Sequence, residues 1–174
     1  MLIPSVQYWD APLYNNALAA VTAPGSLESR VDQLWQIILT ELFPTTQGYL
    51  VVCRAPLDNT HLVADVLLRR PGNEDKIYFT MSNKRAQLVG NENSWRAAKK
   101  QLRAYLKTEY QIGTAGDMGV QYGAVAIGTR VRFYHWFRDG GQQLKIFGVE
   151  LDLVNDRETV QQRLRHIKAQ IQGW

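Results

Sequence analysis

Apolar residues recur at helical spacing from Leu27 through Val31, Leu34, Trp35, Ile38 and Leu39 to Leu42, which predicts an amphipathic helix. Ser26 stands where an N-cap belongs, and Phe43-Pro44 ends the pattern because proline disfavours a helical residue before it. Three strands are predicted next, over Tyr49–Arg54, Leu62–Arg69 and Lys76–Met81. The second is an apolar run interrupted by Asp65 and closed by Pro71-Gly72, and the third is rich in β-formers. A second helix begins near Ser94 and buries Trp95, Ala98, Leu102, Tyr105 and Leu106. Gly113–Gly119 reads as a loop, and Tyr122–Ile127 with Val131–Phe137 reads as a hairpin about Gly128-Thr129. Asp139-Gly140-Gly141 leads into a last strand, Leu144–Leu153, and Asp156 caps a final helix with Val160, Leu164, Ile167 and Ile171 inward. Residues 1–25, broken by Pro4, Pro12, Pro24 and Gly25, read as an irregular arm held to the body by Tyr8, Trp9 and Tyr14. The predicted order αβββαββ(β)α describes one α/β domain over residues 26–174.

Composition agrees with that reading and narrows the setting. A chain of 174 residues with 45% hydrophobic and 21% charged content can bury one core. No apolar run approaches the roughly 20 residues needed to span a bilayer, so no membrane partner is expected. Met1-Leu2-Ile3-Pro4 lacks the features of a secretory signal, and the expected location is intracellular, cytoplasm or nucleus. A single cysteine, Cys53, excludes an internal disulfide and a cysteine-rich zinc site; set in an apolar run, it reads as a buried thiol. The net charge of +4 is concentrated: Arg96, Lys99, Lys100, Arg103 and Lys107 follow one another on the second helix without an acid. Such a face meets phosphate or simply water, and Arg163, Arg165, His166 and Lys168 form a second patch of the same ambiguity.

Metal-dependent hydrolysis of a phosphodiester needs carboxylates converging on divalent ions, with a lysine near the attacking water. An acid on one strand and an acid-x-lysine on its neighbour supply this compactly, because alternation puts the acid and the lysine on one face. The words Phe43-Pro44, Gly48-Tyr49, Val63-Ala64-Asp65-Val66, Asn83-Lys84-Arg85, Ser94-Trp95, Gln101-Leu102 and Tyr105-Leu106 follow in that order. Tyr122-Gly123-Ala124-Val125-Ala126-Ile127-Gly128 and Val131-Arg132-Phe133-Tyr134 complete the series. Across residues 26–137 the chain resembles the PD-(D/E)XK nuclease superfamily, and within it the small fungal nuclease-like proteins. The resemblance implies a restriction-endonuclease-like αβββαβ core, with a mixed central sheet flanked by helices and extra C-terminal strands and helix. It puts Asp65 at the first metal-binding acid, with Ala64 where proline is frequent, and Lys84 at the family lysine. Gln101 and Tyr105 fall on the Gln-x-x-x-Tyr element, Glu28 is a candidate supplementary acid, and Mg²⁺ or Mn²⁺ is the implied cofactor.

Ser82 departs from that pattern, standing where the resemblance expects Glu or Asp. A neutral hydroxyl forfeits roughly 4 kcal/mol for each unit-charge pair near 4 Å at an intermediate dielectric, before desolvation is discounted. Glu74, Asp75 and Glu92 are the acids near enough in sequence to substitute, and none has evident spacing for it. The expectation is a nuclease-fold protein with impaired catalysis that binds nucleic acid or a phosphate-bearing ligand. Ser82, Tyr105, Arg96, Lys99, Lys100 and Arg103 would line the binding cleft. The alternatives are an active Mg²⁺-dependent nuclease, and an interaction module or repurposed small-molecule enzyme, for which a homodimer burying the basic helix would be a sign. No P-loop, Gly-x-Gly-x-x-Gly or Gly-x-Ser-x-Gly motif is present. Phe133–Phe137 reads as a strand covered on both faces rather than a base-stacking platform.

Overall fold

A computed structural model of the protein describes residues 11–57, 61–70, 76–111, 113, 115, 119–137 and 143–172. A mixed seven-stranded sheet runs through it in the order β1 (Leu50–Pro56), β2 (Val63–Arg70), β3 (Lys76–Lys84), β4 (Val120–Ile127), β5 (Arg130–Phe137) and β6 (Leu144–Ile146). A two-residue strand, β7 (Leu151–Asp152), pairs with β5 beside β6. Among the described residues all strand pairings are antiparallel except β3 with β4, and an isolated parallel bridge joins Ile77 to Ala115. A parallel pair needs a long crossover, and the helix α3 (Glu92–Gln111) supplies it.

The faces are divided unequally. Helices α1 (Pro12–Thr22), α2 (Glu28–Leu42) and α4 (Arg157–Gln172) bury Tyr14, Val21, Val31, Leu34, Trp35, Val160, Leu164 and Ile167 with Phe79, Met81, Ala124 and Phe133 of the sheet. Helix α3 covers the other face, packing Trp95, Ala98, Leu102 and Leu106 on Val125, Ile127, Tyr134 and Trp136. Alternation along β5 explains the division: Val131 and Phe133 enter one core, Tyr134 and Trp136 the other. The expected strand with both faces covered is therefore present. Gly123 allows α3 to settle closely, since a Cβ there would lie 2.9 Å from both a Leu102 methyl and the Thr80 carbonyl oxygen.

Three expectations are corrected. Residues 12–22 form a helix rather than an irregular arm: Pro12 occupies its first turn, where a missing N–H costs nothing, and Tyr14 and Val21 bury on the body. Tyr8 and Trp9 lie outside the described residues. The α2 N-cap is Leu27, without a side-chain cap, while Ser26 is buried with its hydroxyl unpartnered. The single strand expected over 144–153 is interrupted at 147–150, where Gly148 takes a φ of +90°. Most of the 113–119 loop and all of Asp139-Gly140-Gly141 lie outside the described residues.

Candidate functional site

The strands β2 and β3 part at one end of the sheet, and the candidate residues gather at the parting. Backbone pairing runs as far as Val66 opposite Met81. Beyond it the side chain of Asp65 takes over, its Oδ2 accepting the Asn83 backbone N–H at 2.7 Å. Lys84 ends β3, and its carbonyl accepts from Gly128 N–H at 3.0 Å, which anchors the strand end to the turn after β4. Helix α2 brings Glu28 and Asp32, one turn apart, against the same place.

These groups form one charged network. Asn83 Nδ2 donates to Asp32 Oδ1 at 3.0 Å, and Arg54 Nε donates to Asp32 Oδ2 at 3.0 Å. Arg54 also reaches Glu28 at 3.7 Å, and Lys84 Nζ stands 3.6 Å from the other Glu28 oxygen while donating to the Asn83 carbonyl at 2.7 Å. Burial pushes the Asp65 carboxyl up to about 6; the Asn83 N–H and Lys84 oppose this, while Asp32 and Glu28 add to it. The Asp32 carboxylate holds the Arg54 guanidinium above its ordinary range. Arg54 is held at φ +53°, a left-handed conformation that costs a non-glycine residue about 1–2 kcal/mol. Cys53 is half-buried rather than buried as expected, and that partial burial raises its thiol to about 11.

The opposite flank of β3 carries a second, neutral set. Ser82 Oγ donates to Gln101 Oε1 at 3.0 Å, Gln101 Nε2 meets the Tyr105 hydroxyl, and that hydroxyl donates to the Val63 carbonyl at 2.7 Å. Burial first, then the Asp65 charge, raises the Tyr105 phenol. Gln101 and Tyr105 thus tie α3 to β3 and β2, and Ser82 is wholly buried in that tie. Deeper along α3, Glu109 is fully buried, accepting from Thr80 at 2.6 Å and Gln121 at 3.4 Å; burial pushes it up to about 7.

The basic residues fall elsewhere. Arg96, Lys100, Arg103 and Lys107 recur at one-turn spacing, are exposed, and form no salt bridge among the described residues. At 3.6 residues per turn this stripe lies roughly 150° around α3 from Gln101 and Tyr105. Lys99, over the Tyr134 ring at 5.4 Å, marks the flank nearer β5. The structure therefore brings Glu28, Asp65 and Lys84 together, with Ser82, Gln101 and Tyr105 behind them, and leaves Arg96, Lys99, Lys100 and Arg103 on another surface.

A divalent ion was the implied cofactor, and the donor set can be tested against it. Asn83 Oδ1 is a buried acceptor with no partner, the one atom in the network that asks for a further donor or ion. Against that, no group of three or more His, Cys, Asp or Glu is placed to hold a metal among the described residues. Asp32 and Glu28 are engaged by Arg54 and Lys84, and Asp65 by Asn83. Of the substitute acids, Glu92 is paired with Arg132 at 2.7 Å, while Glu74 and Asp75 lie outside the described residues. As placed, the set offers no ready Mg²⁺ or Mn²⁺ site: an ion taking one or two carboxylates would displace Arg54 or Lys84, or share Asp65 with the Asn83 N–H.

Asp32, Arg54 and Asn83 were not singled out from the sequence. Asp32 had a signal: a carboxylate beside Val31 on the inward stripe of a helix must find a buried partner. Arg54 had none, and Asn83 appeared only as the neighbour of Lys84 in a matching word, since the roles of both depend on which strand lies next to which helix. No known protein family, curated protein or solved structure matches this chain.

Proposed function

We propose that the chain carries the restriction-endonuclease-like core of the PD-(D/E)XK superfamily, and that it binds DNA or RNA with impaired metal-dependent cleavage. The order α2, β1–β2–β3 antiparallel, α3, then β4 parallel to β3 supports the αβββαβ reading. Asp65 and Lys84 on adjacent strand ends, with Gln101 and Tyr105 on the crossover helix, support it further.

The observation that carries the binding function is the exposed stripe of Arg96, Lys100, Arg103 and Lys107, none of which forms a salt bridge among the described residues. Phosphates find there a row of exposed cations one helical turn apart. The Asp65 network is the poorer phosphate site. Three carboxylates facing two cations leave it at best neutral, when Asp65 is protonated, and otherwise repulsive to an anion. Ser82, turned to Gln101 and fully buried, supplies no charge to replace the missing acid.

The test is fluorescence anisotropy with labelled duplex and single-stranded oligonucleotides from ~50 to ~200 mM salt. Four neutralised phosphates give a log–log slope near −3.6 on duplex and about −2.8 on single strands, and Lys100→Gln/Arg103→Gln halves it. Salt-independent affinity, or an unchanged slope in the variant, overturns the reading. Cleavage that requires Mn²⁺ and vanishes in Asp65→Ala instead establishes the active nuclease.

A further inference from the structure

On the far side of the sheet from α3, a second surface combines rings and cations in a way the proposed function does not use. The break between β6 and β7 places Phe147 and Gly148 against α4, and a hollow of about 360 Å³ opens between them. Its walls are Phe147, Gly148, Thr159, Gln162, Arg163 and His166. The size suits a small ligand, as such sites run from about 300 Å³ upward. Glycine suits position 148 through its φ of +90°, and a Cβ there would push the end of the Arg163 side chain aside.

The hollow lies at the end of a row of rings. His135 stacks on Phe147 with centroids 5.6 Å apart and 28° between planes, and His166 meets Phe147 at 5.6 Å from the helix side. Arg163 lies over Phe147 at 4.8 Å and donates to its carbonyl, which sets the guanidinium on the wall of the hollow. Phe147 is half-buried while His166 is exposed, so the outermost ring of the row faces water. The walls hold two basic side chains, a hydroxyl and an amide, and no carboxylate.

We propose that this hollow is a nucleotide site, with the base against the His166 and Phe147 edge and the phosphate on Arg163, Thr159 and Gln162. Phe147 is covered by His135 and Arg163, so the exposed His166 ring is the one that offers a base a surface to stack on. The Arg163 guanidinium has donors beyond the one given to the Phe147 carbonyl, and their planar arrangement matches phosphate. A neutral aromatic ligand would leave the Arg163 donors unused, and a simple anion would leave the ring edge bare. The same chemistry arises from a free mononucleotide or from one nucleotide of a single strand.

Three histidines in the chain make a direct readout practicable. Their ring protons are followed by NMR while the full protein is titrated with AMP, adenosine, inorganic phosphate or an eight-residue oligothymidylate. With AMP, His166 and His135 are expected to shift together while His61 stays still. Adenosine and phosphate are expected to bind at least tenfold more weakly. Gln162→Glu, an exposed change one turn before His166, sets a carboxylate beside the phosphate and is expected to weaken AMP about tenfold without unfolding the helix. Shifts with the oligonucleotide alone, lost in Gln162→Glu, assign the site to a strand. No shift with either ligand, or binding indifferent to Gln162→Glu, overturns the proposal. Lys100→Gln/Arg103→Gln lies on the other face and is expected to leave these shifts unchanged, so the two readings fail separately.

Discussion

Asp65 shows what a single residue contributes when its surroundings change its acidity. Its folded-state carboxyl sits near 6, against an ordinary value of 3.8. A raised folded value means the native state holds its proton more tightly than the unfolded chain does. The stability linked to it is therefore fully present below about pH 4 and is lost as pH rises through 6, on the order of 1–3 kcal/mol. Glu109, raised to about 7 by full burial, acts in the same direction one step higher. Stability is expected to fall between pH 4 and 7 on account of these two groups. Asp65→Asn keeps an acceptor for the Asn83 N–H and removes the charge, so urea midpoints should lose the lower part of that fall. A variant profile parallel to the wild type would show that Asp65 is not held near 6. The sequence already singled out Asp65, Ser82, Lys84, Gln101 and Tyr105, and the structure places all five at the parting of β2 and β3. Asn83 stood in a matching word beside Lys84 but carried no role there, and Arg54 had no periodic or motif signature at all. Their meaning comes from Asp32, which reaches them across the layer between helix and sheet.

At the scale of elements, the periodic signals were readable and the exceptions have specific causes. The apolar rows of α2, α3 and α4 and the β-rich runs of β2 to β5 bury along most of their length, whereas β1 at the sheet edge is largely half-buried or exposed. The arm was misread because Pro12 looks like a breaker, whereas the first turn of a helix is where proline is tolerated best. Tyr14 carries the consequence. It is buried on the body, donates to the Leu153 carbonyl at 3.2 Å and lies under Arg157 at 5.1 Å, so it joins α1 to the segment entering α4. Tyr14→Phe removes one hydrogen bond and should cost about 1 kcal/mol, while Tyr14→Ala leaves a cavity and should cost about 3–5 kcal/mol. Urea unfolding reads both, and a neutral Tyr14→Ala would mean α1 is not integral to the domain. The basic stripe of α3 was visible in the sequence, but its direction was not. Helical spacing sets Gln101 and Tyr105 on one flank and the cations on another, and only the tie of Tyr105 to Val63 shows which flank meets the site.

The whole molecule separates three kinds of surface that a sequence strings together: a charged network at one sheet end, a cationic flank on α3, and a ring-lined hollow beside α4. Because any ligand that binds only the native state raises its stability, heating distinguishes which of these surfaces takes a ligand. A divalent-ion site filled at a hundredfold excess over its dissociation constant would add about 2.7 kcal/mol. For a domain of this length that is a rise of roughly 2–4 °C per kcal/mol, an effect well outside measurement error. The acids of the network are engaged by Arg54, Lys84 and Asn83, so Mg²⁺ or Mn²⁺ must displace those partners before it binds. The expected outcome is no rise in melting temperature with millimolar Mn²⁺, in wild type or Asp65→Ala. A short duplex should give a rise that shrinks as salt is added and is lost in Lys100→Gln/Arg103→Gln. A Mn²⁺-dependent rise abolished by Asp65→Ala would mean the network opens to a metal, and the impairment assigned to Ser82 would fall. A duplex effect that survived the α3 substitutions would move nucleic-acid binding off the cationic flank, leaving the second basic patch on α4 as the surface to examine.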